Sequence, residues 1–138
     1  VMTVGFGHRY PSVEVWSTSR VDQPWRVDDE GIDAVSDLLH AAHVAVSDDV
    51  PANEEWHYRP MGTGVAVPWG IILKLRISTL AGFEGGTKIY VNTISPAALA
   101  AMLLPKLFQA RAAGRIAPMD LGDECEIPRG VLAATWVR

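Results

Sequence analysis

The stretch GVAVPWGIILKLRIST, residues 64–79, has the most regular hydrophobic pattern in the chain. Every odd position of residues 65–77 is apolar, and the even positions become polar toward the end, beginning with Lys74. This period of two is typical of a β-strand with one face on a core and the other toward water. We therefore predict a core strand over residues 65–77, bent or bulged early by Pro68 and Gly70.

Other segments predict three further strands. SVEVWSTSR, residues 12–20, alternates in the same way. LAGFEGG, residues 80–86, predicts a hairpin connection after the core strand, and TKIYVN, residues 87–92, predicts the returning strand. VLAATWVR, residues 131–138, predicts a final strand.

Two segments change to the helical period. In residues 27–49 apolar side chains recur three and four apart, and Asp28 or Asp29 is placed to cap the first turn. Ser95 followed by proline predicts the start of a second helix, which ends near Gly114.

The predicted order is therefore β-α-β-β-α-β. This order is the signature of a ferredoxin-like α+β sandwich, in which a four-stranded antiparallel sheet has two helices on one face. The alternative is another two-layer α+β fold, with residues 64–80 forming two strands. At 138 residues without repeats or linkers, the chain predicts a single domain over residues 1–138.

Composition and charge restrict the classes of function. An apolar fraction of 49% with 20% charged residues is ordinary for a globular protein. The net charge is −4, and it is uneven: residues 1–69 hold eleven acids and four bases, whereas residues 70–138 hold five acids and eight bases. Overall acidity argues against nucleic acid as the main partner, although one basic surface remains possible.

The sequence also bears on location. Charged residues interrupt every apolar run well before the roughly 20 residues of a membrane span. The first residues lack the cationic start and apolar core of a secretion signal, and one cysteine excludes an internal disulfide. We expect a cytoplasmic protein without a membrane segment, and the composition resembles that of high-GC bacteria.

The segment EEWHYR, residues 54–59, is the strongest candidate for a catalytic site. It lies in a predicted long loop, residues 47–63, and is also compatible with a short edge strand. An extended conformation would place Glu55, His57 and Arg59 on one face, with an acid–base pair beside a group that binds anions. The aromatic residues Trp56 and Tyr58 would then lie on the other face, as binding residues or merely as a cover for the core edge.

The sheet face away from the helices is the second candidate. In the predicted register it carries Lys74, Arg76, Lys88 and Tyr90, with Trp16 or Trp136 beside them. Basic and aromatic residues on a sheet bind RNA in RNA-recognition-motif domains, but the sequence pattern of those domains is missing. A face covered by a second copy or by a partner protein is the competing interpretation.

Two histidines of the first helix raise the question of a metal site. His40 and His43 are three apart, whereas zinc-binding helices of the HExxH kind use a spacing of four and a glutamate. On a helical wheel His40 falls on the hydrophilic face and His43 at its border. We therefore expect a solvated helix face, with no metal and no cofactor.

The second helix indicates a partner. Residues 96–104 have no polar side chain, and a helix that is apolar all round is buried on both sides. We therefore predict a non-catalytic protein-interaction or ligand-binding module, self-associating or docked through residues 96–104 or the open sheet face. The alternatives are a small enzyme or small-molecule binder of the dimeric α+β barrel type, with Glu55 and His57 as its acid–base pair, and an RNA-binding sheet.

Overall fold

A computed structural model describes residues 1–77 and 81–125. Nine elements follow one another along this part of the chain, and all but two of them are ordinary strands and α-helices. In chain order they are β1 (Met2–Val4), β2 (Ser12–Trp16), a 3₁₀ turn (Pro24–Arg26), α1 (Asp29–Val46), β3 (Ala52–His57), β4 (Gly70–Leu75), α2 (Gly82–Thr87), α3 (Pro96–Ala112) and a second 3₁₀ turn (Gly122–Glu124).

The four strands form one antiparallel sheet in the order β1-β2-β4-β3. Strand β4 lies inside the sheet, where Leu73 pairs with Val13 of β2 on one side and with Glu54 of β3 on the other. The core strand predicted from residues 65–77 is therefore present, but its paired part begins only at Gly70. Pro68 has no N–H to donate to a ladder, which explains why pairing does not extend through it.

The core lies between the sheet and the two long helices. Leu73 and Leu75 of β4 point into it together with Val13, and alanines of α1 and leucines of α3 meet them there. Lys74 points to the other face. The predicted register, with odd positions of β4 toward the helices, is confirmed. In helix α1 the buried residues are mostly alanines, whose small size allows close contact with the sheet and with α3.

Both long helices begin as predicted. The carboxylate of Asp28 accepts a hydrogen bond from the N–H of Gly31, and the hydroxyl of Ser95 accepts one from Ala98. Helix α3 ends at Ala112, and Gly114, with a φ of 65°, follows its C-cap. The N–H of Gly114 donates to the carbonyl of Arg111 and that of Arg115 to the carbonyl of Ala110, which is a Schellman motif. These caps satisfy N–H and C=O groups that have no partner inside the helix.

The prediction of a hairpin and a returning strand at residues 80–92 is wrong. Residues Gly82–Thr87 form helix α2, because the Glu84 carboxylate accepts a hydrogen bond from the N–H of Ala81 and starts a helical turn. Lys88 then adopts a left-handed conformation with a φ of 61°, and no strand follows before α3.

The predicted α+β class and four-stranded antiparallel sheet are confirmed, whereas the predicted ferredoxin-like order is not, because the sheet has the order β1-β2-β4-β3. Met2–Val4, which was not predicted to be a strand, pairs with β2 at one edge of the sheet. The final strand predicted at residues 131–138 lies outside the described residues.

Candidate functional site

The segment EEWHYR contributes an edge strand, as one of the two interpretations predicted. In β3, Glu55 and His57 point to the open face of the sheet, and Trp56 points to the opposite face. Tyr58 and Arg59 follow the end of the strand, so their positions are not set by its alternation. The structure thus places Glu55 and His57 together, and their catalytic role remains a prediction.

Glu55 is held mainly by a cation from the neighbouring strand. Nζ of Lys74 donates to Oε1 of Glu55 at 2.5 Å, whereas Nε2 of His57 lies 3.6 Å from Oε2. The hydrogen bond from Lys74 is the main cause of a lowered Glu55 pKa, and the nearby charges of Lys74 and His57 lower it further. A carboxylate with a lowered pKa is a weak proton acceptor at neutral pH. This geometry favours a structural ion pair over a general base.

Arg59 does not join Glu55 and His57. Its Nε lies 2.6 Å from the Asp22 carboxylate, and Nη1 donates to the carbonyl of Thr63 at 2.7 Å. The Arg59 N–H also donates to the carbonyl of Asp22. Arg59 therefore connects the segment after β2 to the loop after β3, and its guanidinium is not free to hold an anionic substrate.

The predicted row of basic and aromatic residues on the sheet is not formed. Lys74 and Trp16 lie on the open face of the sheet, whereas Arg76 follows the end of β4. Lys88 and Tyr90 lie in the irregular segment after α2, where the Arg9 guanidinium stacks on the Tyr90 ring at 4.4 Å. The row of basic and aromatic residues considered for the RNA-binding alternative is therefore not assembled on the described part of the sheet.

Trp16 belongs to a group of side chains that the sequence analysis did not identify. Its Nε1 donates to Oε2 of Glu14 at 2.6 Å, and Nε2 of His8 lies 2.6 Å from Oε1 of the same carboxylate. The indole lies over Gly70, because a Cβ added there would come within 2.5 Å of it. One carboxylate thus fixes both a histidine and a tryptophan on the open face.

The same arrangement occurs a second time, on the helix face of the sheet. Oε2 of Glu54 accepts from Nε1 of Trp56 at 3.2 Å, and Nε2 of His43 lies 2.8 Å from Oε1. His43 is thus tied to β3, which corrects the expectation of a purely solvated position. A sequence pattern could have indicated both carboxylate–tryptophan contacts. In each of the two strands a glutamate lies two residues before a tryptophan, and residues two apart in a strand share a face. Among residues 1–77 and 81–125, no cluster of His, Cys, Asp and Glu is suited to a metal ion.

An open cleft lies where β2 and β3 end and β4 begins. Its volume is about 870 Å³. The ring of Trp56 also stacks on the buried Trp69, with centroids 6.3 Å apart, and Trp25 meets Tyr58 edge to face at 5.1 Å. We call this cleft the aromatic cleft, and it is lined by Trp16, Ser17, Trp56, His57, Tyr58, Pro60, Val67 and Pro68.

Helix α3 presents a second surface. Leu99, Leu103 and Leu107 point into the core, whereas the opposite side is apolar but exposed to solvent in the described structure. Met102 is 53% exposed. An apolar cavity of about 230 Å³ lies on another side of the helix, between α3, α1 and β1, where Ala100, Leu103 and Leu107 line it. We call the exposed side that carries Met102 the outer face of α3, and it consists of Ala97, Ala98, Ala101, Met102, Pro105 and Phe108.

The described residues define a two-layer α+β domain with two apolar surfaces. The chain belongs to the DUF4921 family, a domain of unknown function, whose model matches residues 1–134. No curated protein and no solved structure matches the chain. Of the helices in the described ranges, none combines the length and the apolar character needed to cross a membrane.

Proposed function

We propose that this domain is a non-catalytic protein-interaction module that self-associates through the outer face of α3. The observation that carries the proposal is the composition of that face. It is exposed along about three turns of the helix and has no charged residue before Lys106.

Leaving the outer face of α3 in water has a cost in free energy. Burial of apolar surface gains about 25 cal/mol per Å², whereas large exposed apolar patches on a monomer favour aggregation. Phe108 is partly covered by the Arg111 guanidinium, which lies 5.1 Å from its ring centroid. Met102 and the alanines have no comparable cover among the described residues.

A second copy of the chain is the occupant that fits best. A two-fold interface brings identical patches together, so any charge within the patch would face its own copy. The outer face of α3 keeps this repulsion small, because its own residues are uncharged and the nearest charge is Lys106 at its border. Ala97, Ala98 and Ala101 allow two helices to approach closely.

Sedimentation velocity of the variant Ala101→Glu tests this proposal. The new carboxylate would face its counterpart in an apolar interface, so we expect a dimeric wild type and a monomeric variant with an unchanged circular dichroism spectrum. Ala34→Glu introduces the same charge at an exposed position of α1 and should leave the dimer intact. A wild type that stays monomeric at about 100 μM, a concentration at which specific interfaces are normally occupied, would contradict the proposal.

The alternative is a small enzyme or small-molecule binder of the dimeric α+β barrel type. Its support is the position of His57 at the aromatic cleft, beside Glu55. The engagement of Glu55 with Lys74 weakens this alternative, as described above. Native mass spectrometry of purified protein distinguishes the two, since an enzyme or binder of this kind should retain a small molecule that a His57→Ala variant loses.

We further propose a ferredoxin-like relationship and a single domain in the cytoplasm. Strands β2 and β3 run in the same direction on either side of β4 and are joined by α1, which is the split β-α-β unit of that fold. Strand β1 lies beside β2, at the edge of the sheet. A single cysteine in the chain is consistent with a reducing compartment.

A further inference from the structure

We infer that the aromatic cleft binds a proline-rich peptide segment, carrying arginine or lysine, of a partner protein. This inference concerns a surface at the end of the sheet and does not depend on self-association through α3. It follows from how the walls of the cleft are fixed, from the shape of the cleft and from the charges around it.

The two tryptophan walls are held in place by carboxylates. The N–H of Trp16 is used by Glu14, and that of Trp56 by Glu54. The indoles therefore offer ring faces rather than hydrogen-bond donors to a ligand. Fixed aromatic side chains lose little conformational entropy when a ligand packs on them, which favours their use as contact residues.

The shape of the cleft favours an extended ligand. With about 870 Å³ of open space, a small molecule in it would keep much of its surface in water, whereas small-molecule sites bury most of the ligand. Aromatic-lined grooves are the usual sites for proline-rich segments, whose polyproline II conformation exists before binding. Tyr58 and His57 supply polar groups at the wall for peptide carbonyls, as such recognition needs.

The charges around the cleft select a basic ligand. Glu54 and Glu55 directly precede Trp56 in sequence, and their side chains are 32% and 44% exposed. The ion pairs of Lys74 with Glu55 and of Arg59 with Asp22 cancel in charge, which leaves Glu54, beside His43, as the acid next to Trp56. The excess of eleven acids over four bases in residues 1–69 acts in the same direction. Arginine or lysine beside the prolines would complement this field.

Fluorescence anisotropy of a labelled probe tests the inference. The probe is a fluorescein-labelled peptide of eight prolines with two arginines at each end, and we expect saturable binding to the wild type. Trp56→Ala and Tyr58→Ala should each raise the Kd at least about tenfold, as for an aromatic residue central to an interface. Tyr58 lies outside the strands, so its variant decides the result if Trp56→Ala does not fold.

Two controls make the test specific. Phe83→Ala removes another exposed aromatic residue, in α2 and away from the cleft lining, and should leave the Kd unchanged. Replacing the arginines of the probe with glutamates should weaken binding. The inference is overturned if the probe does not bind saturably, if Phe83→Ala weakens binding as much as Tyr58→Ala, or if the glutamate probe binds as well as the arginine probe.

The inference is also overturned if Trp56→Ala abolishes self-association, since the cleft would then hold a second copy. Ala101→Glu should keep full probe affinity, which separates this test from that of the proposed function.

Discussion

Gly70 lies at the point where the open face of the sheet meets the aromatic cleft. It pairs with Trp16 on one side and His57 on the other, and the Trp16 ring occupies the space that a side chain would need. A Cβ at this position would come within 2.5 Å of the indole and 2.7 Å of the carbonyl of Val15. The backbone carbonyl cannot yield as a flexible side chain can.

We therefore expect Gly70→Ala to destabilise the fold by about 1–3 kcal/mol, the usual cost of overpacking. It should also change the fluorescence of Trp16. Urea unfolding provides the measurement. Gly85→Ala is the matched control, because open space surrounds Gly85 within helix α2 and alanine is favoured there. Equal stability of the two variants would show that Trp16 does not lie on Gly70.

Single residues also show where prediction from sequence was limited. The alternation that placed Glu55 opposite Trp56 is a local property of an extended chain, and it was confirmed. The contact of Arg59 with Asp22 joins residues far apart in sequence, so no local pattern indicates it. The contact of His43 with Glu54 is of the same kind, because it depends on how α1 packs beside β3.

At the scale of elements, the C-terminal end of α3 is anchored by one ion pair. The Arg111 guanidinium binds both carboxylate oxygens of Glu124, at 2.5 and 2.9 Å, and also donates to the carbonyl of Met119. The hydrogen bond from Arg111, followed by one from the N–H of Leu121, lowers the Glu124 pKa to about 2. This carboxylate therefore ties the second 3₁₀ turn to the helix.

A lowered pKa stabilises the folded state at a pH above the unfolded value of 4.5 and ceases to do so as the pH falls toward about 2. We expect Glu124→Gln to be less stable than the wild type at pH 7. The difference in unfolding free energy should shrink steadily between pH 4.5 and 2. Chemical denaturation across that range measures it. A constant difference between Glu124→Gln and the wild type across this range would contradict the assignment.

The long elements were predictable from strong local signals. Helix α1 has a clear cap and recurring apolar positions, α3 has a Ser-Pro start, and the odd positions of β4 are apolar throughout. Strand β1 has only three residues, too few for a pattern, and its pairing with β2 comes from tertiary contact. Residues 82–87 were misassigned because three glycines suggested a turn, whereas the Glu84 carboxylate supplied a helix start.

At the scale of the whole molecule, the described residues have two distinct apolar surfaces. The aromatic cleft lies at the end of the sheet, and the outer face of α3 lies on the side of the helix layer away from the sheet. The aromatic cleft could not be predicted from the sequence, because the residues that line it come from separate segments. They lie at the ends of β2 and β3 and around Val67 and Pro68. The second was predicted from residues 96–104, because an uninterrupted apolar run in a helix must expose some of its side chains unless both sides are covered.

The central claim, that two copies pair through the outer face of α3, is tested most directly by cross-linking. In a two-fold pair, residues near the middle of the face lie close to their own copies, at helix separations of about 8–10 Å. We expect Met102→Cys, in a background of Cys125→Ser, to form a disulfide-linked dimer rapidly under mild oxidation. Ile32→Cys in the same background is the control, since Ile32 on α1 is 52% exposed and Met102 is 53% exposed. Rapid cross-linking at residue 102 alone is the predicted result, and equal rates at residues 102 and 32 would contradict the account.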